Sequence, residues 1–292
     1  MSVESFKPTL WEGALIANFH SLSIADVLAT PPSEIKGHKV TFNRVAAGTI
    51  KDYAGTVEWE DIDTTPVDMV FDKEKYFAFA LDDVDKVQTK GDVMAATTKE
   101  HSAVLSETYD KDFFAALLAG TTMKIGSSSA KKKVTSVNAY DFIVDLGTML
   151  SKKKVPKVNR FVTVNADYLG LLGKDKRFTD NPKVLENGIV EGQVINGMQV
   201  MCSEELPANV ILASHKSAIG AAKQIEEMEA MRLQNKFADG IRGLCVYGHK
   251  VLREDASAAL YYEVGTSADV EPINVKITND TKSPVNTKEV TG

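Results

Sequence analysis

The residue types able to carry chemistry are present in this chain but are not gathered into a site. The five histidines, His20, His38, His101, His215 and His249, include no pair at zinc-site spacing, and no HExxH motif occurs. Cys202 and Cys245 lack the close pairing that holds a metal, so both are read as small core residues of a chain that folds in a reducing compartment. There is no GxSxG elbow, Walker A loop or dinucleotide fingerprint; Gly188, Gly192 and Gly197 read as turn punctuation. Asp82-Asp83 and Glu204-Glu205 are adjacent in sequence, so the carboxylates of each pair point apart and suit solvated or capping roles. His101 falls on a helical stretch and reads as a satisfied, half-buried histidine. The expectation is therefore no catalytic, cofactor-binding or metal residues, and no cofactor.

Charge is more informative than motif. Residues 50–92 hold 12 acidic and 5 basic residues, a net of −7, whereas 124–160 hold 9 basic and 2 acidic, a net of +7. The basic excess includes the triplets Lys131-Lys132-Lys133 and Lys152-Lys153-Lys154. Two solvated faces would explain this. So would complementarity between neighbouring copies, which fixes orientation and rejects wrong partners.

Composition bounds the rest. The chain has 292 residues, 43% hydrophobic and 25% charged, with a net charge of −6, which is ordinary globular chemistry and excludes disorder, collagen and a disulfide scaffold. Its pI of about 5.5 argues against a dedicated nucleic-acid binder. Apolar runs such as Tyr76–Leu81 and Val210–Ala213, like the seven residues Phe113–Ala119, are far short of the roughly 20 residues a bilayer requires, so no membrane partner is expected. The opening MSVESFKPTLWEG has no basic region followed by an apolar one, and cytoplasmic folding is the default.

The elements that must position any contact follow from periodicity. Trp11, Leu15, Ile16, Phe19 and Leu22 form a short amphipathic stripe, and Thr30-Pro31-Pro32-Ser33 stops any helix. His38–Val45 alternates as a strand, Val57–Glu60 alternates again, and Pro66–Asp72 and Tyr76–Leu81 follow, giving a long hairpin too lean in apolar residues to hold a core. The 28 residues between Gly91 and Gly120 lack glycine and proline; Asp92 is a fitting N-cap, and Met94, Thr97, His101, Leu105, Tyr109, Phe113 and Ala116 or Leu117 share a face. A Gly/Ser/Lys connector (121–133) precedes a helix from Ser136 to Leu150 with Val137, Tyr140, Val144, Gly147 and Leu150 inward. Strands at 160–165, 194–202 (interrupted at Gly197) and 210–213, with a helix at 167–172, make an α/β lobe. Residues 221–236 have helical periodicity; Gly240 and Gly243 read as breaks; Ala258–Val264 is a closing strand; aromatic residues cease after Gly265.

This order of arm, β excursion, long helix, α/β lobe and return strand resembles the major capsid proteins of tailed bacteriophages, the Hong Kong ninety-seven fold. The likeness rests on Pro8-Thr9-Leu10-Trp11, Val40-Thr41-Phe42, Asp167-Tyr168-Leu169, GQVINGMQV at 192–200, HKSAIG at 215–220, FADGIRGL at 237–244 and YGHKVLR at 247–253. It implies an α+β fold with an N-terminal arm (1–36), an E-loop hairpin (37–82), a P-domain with a spine helix (83–135), an A-domain (136–236), a return to the P-domain (237–264) and a tail (265–292). It also implies that Gln224–Gln234 is extended, against the local periodicity.

The function implied is self-assembly: hexamers and pentamers closing an icosahedral head around double-stranded DNA, with a portal protein at one vertex. A separate scaffolding protein is expected, or a leader removed beforehand, and a decoration protein is compatible. The contact candidates are Trp11, Leu15, Phe19, Tyr53, Trp59, Lys131, Lys132 and Lys133. Some capsids of this fold carry Lys–Asn cross-links; Lys51 is the lysine near the hairpin tip that could serve, though no partner asparagine or carboxylate matches. An encapsulin shell and, more remotely, a soluble α+β enzyme stay open at this level.

Overall fold

The computed structural model describes residues 23–36, 39–45, 50, 52–53, 55, 64–82, 93–179, 194–234 and 238–265. The stripe from Trp11 to Leu22, Lys51, Trp59, Asp92 and the tail after Gly265 therefore lie outside the described residues.

The largest unit is a seven-stranded sheet in the order β5-β13-β10-β7-β9-β8, with β6 also on β13. Its members are β5 (Met123–Ile125), β6 (Lys132–Val134), β7 (Arg160–Val164), β8 (Val194–Ile195), β9 (Met198–Cys202), β10 (Val210–His215) and β13 (Ser257–Val264). Successive side chains on a strand point to opposite faces, and here the alternation divides two cores. Val162, Val164, Ile211, Ala213, Ala258 and Leu260 pack on the helices at Ala139–Lys152 and Ala166–Leu172, through Ile143, Leu146, Leu150, Tyr168 and Leu172. Phe161, Val210, Leu212 and Ala259 take the other face, against Tyr109, Phe113, Phe114 and Leu117. Those four belong to the long helix Val93–Gly120, whose 28 residues span about 42 Å at 1.5 Å each.

A second sheet has the order β11-β12-β4, all antiparallel: β11 (Ile219–Arg232), β12 (Ala238–Val251) and β4 (Lys73–Asp82). The third is β1-β2-β3: β1 (Glu34–Lys36), β2 (Lys39–Val45) and β3 (Thr64–Val70). The long helix joins the first two sheets, because its core cluster also contains Ile219, Ala221, Cys245 and Tyr247.

The extended state of 224–234 holds as far as Arg232, with a register shift between Ile225 and Glu227 where β11 pairs β12. Other expectations are corrected. Lys73–Asp82 is not part of the hairpin: it runs along β12 from Ala238 to Tyr247. The α/β sheet claims the closing strand β13, while β11 leaves that lobe for the second sheet. The 121–133 connector contains β5 and ends in β6, both held parallel to β13 by pairing that no local pattern announces.

Gly240 and Gly243 do not break β12; a Cβ on Gly243 would lie 2.4 Å from the Phe77 ring, so the missing side chain lets that ring lie on the strand. Gly197 is no mere interruption either: with Asn196 at φ 48° and Gly197 at φ 78°, it makes the two-residue turn between β8 and β9. On the helix Ala139–Lys152 the buried face is Ala139, Ile143, Leu146, Gly147 and Leu150, and Val137 is exposed ahead of it. That helix is apolar on more than one side, and the sheet beneath it chose the face. Cys245 is buried, its thiol pushed up to about 11 by burial, but Cys202 is exposed, contrary to its reading as core.

Candidate subunit-contact surfaces

A contact surface must be rooted firmly and yet leave apolar or charged groups uncovered. The hairpin β2–β3 meets the first condition. Val40, Phe42, Met69 and Phe71 form a small cluster with Ala222 and Val246 of the second sheet. Phe42 fits because Gly220 has no side chain; a Cβ there would meet its ring at 2.5 Å. The expectation that the excursion is too lean to hold a core applies beyond this root, since the base borrows one from β11 and β12.

Beyond the root the described residues are uncovered. Ile50 is 98% exposed and Tyr53 77%, and the Tyr53 hydroxyl donates to the Gly55 carbonyl at 3.3 Å. Trp59, Trp11, Leu15 and Phe19 lie outside the described residues. Along β4 most side chains are exposed, including Tyr76 at 82%, and β4 is the edge of its sheet. Between this edge and the long helix runs a groove of about 280 Å³ lined by Tyr76, Phe77, His101, Val104 and Leu105. The His101 ring packs 4.6 Å from that of Phe79, centroid to centroid, as a half-buried histidine. Tyr76 and Val104 were not singled out from sequence; the apolar run Tyr76-Phe77-Ala78-Phe79, too continuous for a strand with one covered face, was the signal available.

The charge segments are less uniform than their sums. Lys131, Lys132 and Lys133 are exposed on or beside β6, whose Lys132 and Lys133 stand opposite Tyr262 and Glu263. Arg160, by contrast, is 2% exposed and donates to the carbonyls of Pro156, Val155 and Gly147 and to Ser151 Oγ, so its charge tethers a helix end. Lys153 pairs Asp255 at 3.0 Å. In the acidic segment, Asp68 is bound at 2.8 Å by Lys39, whose hydrogen bond holds its carboxyl below the usual range. Of the contact candidates, Tyr53 and Lys131–Lys133 are described, Tyr53 between the hairpin strands β2 and β3 and the lysines on or beside β6 of the seven-stranded sheet. Among the described residues no group of His, Cys, Asp or Glu has the geometry to hold a metal.

Comparison with known proteins adds the following. A sequence model of the family described as phage capsid protein matches residues 66–261. Among solved structures, one from Mycobacterium phage Che8 is 30% identical, with a TM-score of 0.62 over 77% of this chain and 85% of that one. The capsid structure of cyanophage P-SCSP1u is 18% identical, with a TM-score of 0.61 over 83% and 89% of the two chains. A virus-like particle from Pyrococcus furiosus is 11% identical, with a TM-score of 0.59 over 85% and 96%, a likeness of fold alone. No curated protein sequence matches the chain.

Proposed function

The chain belongs to the phage capsid protein family, and from that premise we propose that its arm and hairpin grip neighbouring copies as hexamers and pentamers of an icosahedral head. It is a structural capsid protein of the tailed double-stranded DNA phage type, not an enzyme, and its place is the virion capsid. The observation that carries the reading is the family match across residues 66–261, which spans the hairpin's return strand, the long helix and both larger sheets.

In this reading the arm runs through residue 36 and adds β1 to the hairpin's sheet, the E-loop covers 37–72, the P-domain comprises β4, the long helix, β11 and β12, and the A-domain is built around the seven-stranded sheet. Among the described residues the hairpin tip has apolar groups that one subunit leaves uncovered, Ile50 and Tyr53, and association would bury them. Assembly in the host cytoplasm, a portal at one vertex, a separate scaffold, a decoration protein and non-specific contact with packaged DNA complete the proposal.

Electron microscopy of the purified chain tests it. Closed shells built of hexamers and pentamers are expected; a stable 31.8 kDa monomer under all assembly conditions would sink it. Boiled particles should run as a single band if Lys51 forms no cross-link, and as a ladder if it does.

A further inference from the structure

The long helix carries an aspartate whose presence its own stability does not explain. Asp110 is 4% exposed in the helix interior, where aspartate is a poor helix former and an isolated buried carboxylate is costly. Its hydrogen-bond donors come from a segment 85 to 87 residues away. Ser23 Oγ donates to Oδ1 at 2.6 Å, the Ile24 amide to Oδ2 at 3.0 Å and the Ala25 amide to Oδ1 at 3.2 Å. These amides open the short helix Ala25–Leu28, whose N-cap Ile24 has no side chain able to satisfy them. Burial raises the Asp110 carboxyl above the ordinary aspartate range, while the three donors act against that shift.

The segment from Ser23 to Thr30 is held at two further points. Lys223, reaching from β11, pairs with Asp26 and lies 5.0 Å from the centroid of the Tyr109 ring. Thr30 then bridges Gly220 in parallel; its amide donates to the Ile219 carbonyl at 2.9 Å and its hydroxyl to that of Lys216 at 2.7 Å. Ala25, Leu28 and Ala29 are buried in the core between them.

We propose that Asp110 is a positioning residue for assembly: it clamps residues 23–25 to the long helix, so that the chain before Ser23 leaves every subunit from one fixed point. This rests on the shell reading above. A segment reaching a neighbour loses less freedom on docking if its departure point is already fixed, the general benefit of preorganisation.

The experiment uses the full chain with Asp110→Ala, Asp110→Asn and Ser23→Ala. Hydrogen exchange at the Ile24 and Ala25 amides reads the clamp, amides of β10 read the global fold, and sedimentation reads shell yield. For Asp110→Ala, exchange at Ile24 and Ala25 should rise about tenfold or more, with β10 within about twofold. Shell yield should fall by a similar factor, beyond any change in the melting temperature of free subunits. Asp110→Asn, which keeps one acceptor oxygen, should be intermediate. Should Asp110→Ala fail to fold, the other two variants carry the same readouts. Unchanged protection at Ile24 and Ala25, or release of the root with full shell yield, would overturn the proposal. Absence of shells from the unmodified chain would instead overturn the shell reading, while the exchange data still decide whether the clamp exists.

Discussion

The seven-stranded lobe and the β4–β12–hairpin region solve the burial problem in opposite ways. In the lobe, every residue of β7 is buried and both faces of the sheet are covered by the subunit's own helices. In the other region, β4 is an edge strand whose described side chains are mostly exposed, and the hairpin's core is confined to a few residues at its root. The lobe is a finished domain, whereas the other region has strand length without the cover to match. Long strands left half-covered are stable only because the long helix and β12 hold one side, and the open side is what further copies can bury.

The largest expected effect falls where that contrast is sharpest. Deleting residues 46–63, between β2 and β3, should leave the melting temperature of the free subunit within about 3 °C, since the root cluster Val40, Phe42, Met69 and Phe71 is kept. It should abolish closed particles in electron microscopy. Particles assembled from this deletion would mean the hairpin is not a contact element.

Next in size is a pair of truncations on the two sides of the comparison. Ile143→Ala, in the lobe's core at 0% exposure, should lower free-subunit stability by about 2–5 kcal/mol in denaturant titration. Tyr76→Ala on β4 should cost the free subunit under about 0.5 kcal/mol while weakening particles. Equal losses at both positions would erase the distinction between a finished lobe and an open one.

Acid should act through the second region. His249 of β12 sits among the rings of Tyr109, Phe113 and Tyr247, with its Nε2 buried and unpartnered, although part of the residue reaches solvent. Burial lowers its pKa to about 4; Asp112, Asp72 and Asp26 oppose that shift and Lys73 adds to it. Because the folded state binds the proton less readily than the unfolded one, stability should be full above about pH 6.5. It should decline as pH falls toward 4 and lose no more below that, up to about 3 kcal/mol in all. His215 in the lobe shifts in the same direction by partial burial. His249→Phe should remove most of the decline in urea titrations from pH 7 to 4, and a curve as steep as that of the unmodified chain would assign it elsewhere.

The smallest effect per contact belongs to the lysines on and beside β6. Replacing Lys131, Lys132 and Lys133 by Glu should leave the free subunit nearly unchanged, because exposed pairs are worth about 0–1 kcal/mol each. Loss of empty shells, eased or worsened by salt, would mark a subunit contact. Normal empty shells with poor DNA retention would place the triplet on the lumen.

Local pattern was enough for much of this. The glycine-free stretch gave the long helix, alternation gave β2 and β7, and the cluster of short motifs gave the fold class. For the contact surfaces, Tyr53 and the lysine triplet were legible as exposed groups, but Tyr76, Val104 and Asp110 were not. An aspartate between Tyr109 and Lys111 looks like any solvated helix residue until Ser23 and two amides are brought to it. Likewise Arg160 counted as one more surface cation, though three carbonyls enclose it.

The sequence by itself determined which stretches are helix or strand wherever burial is one-sided and local, because periodicity records which side of an element meets a core. Only the tertiary structure decided that β11 pairs β12 with a register shift between Ile225 and Glu227, that Lys73–Asp82 joins β12 instead of the hairpin, and that Gly243 is a socket for Phe77. Strand partners, glycine contacts and buried charges are fixed by atoms that are distant in sequence, and no window along the chain contains both sides of such a contact.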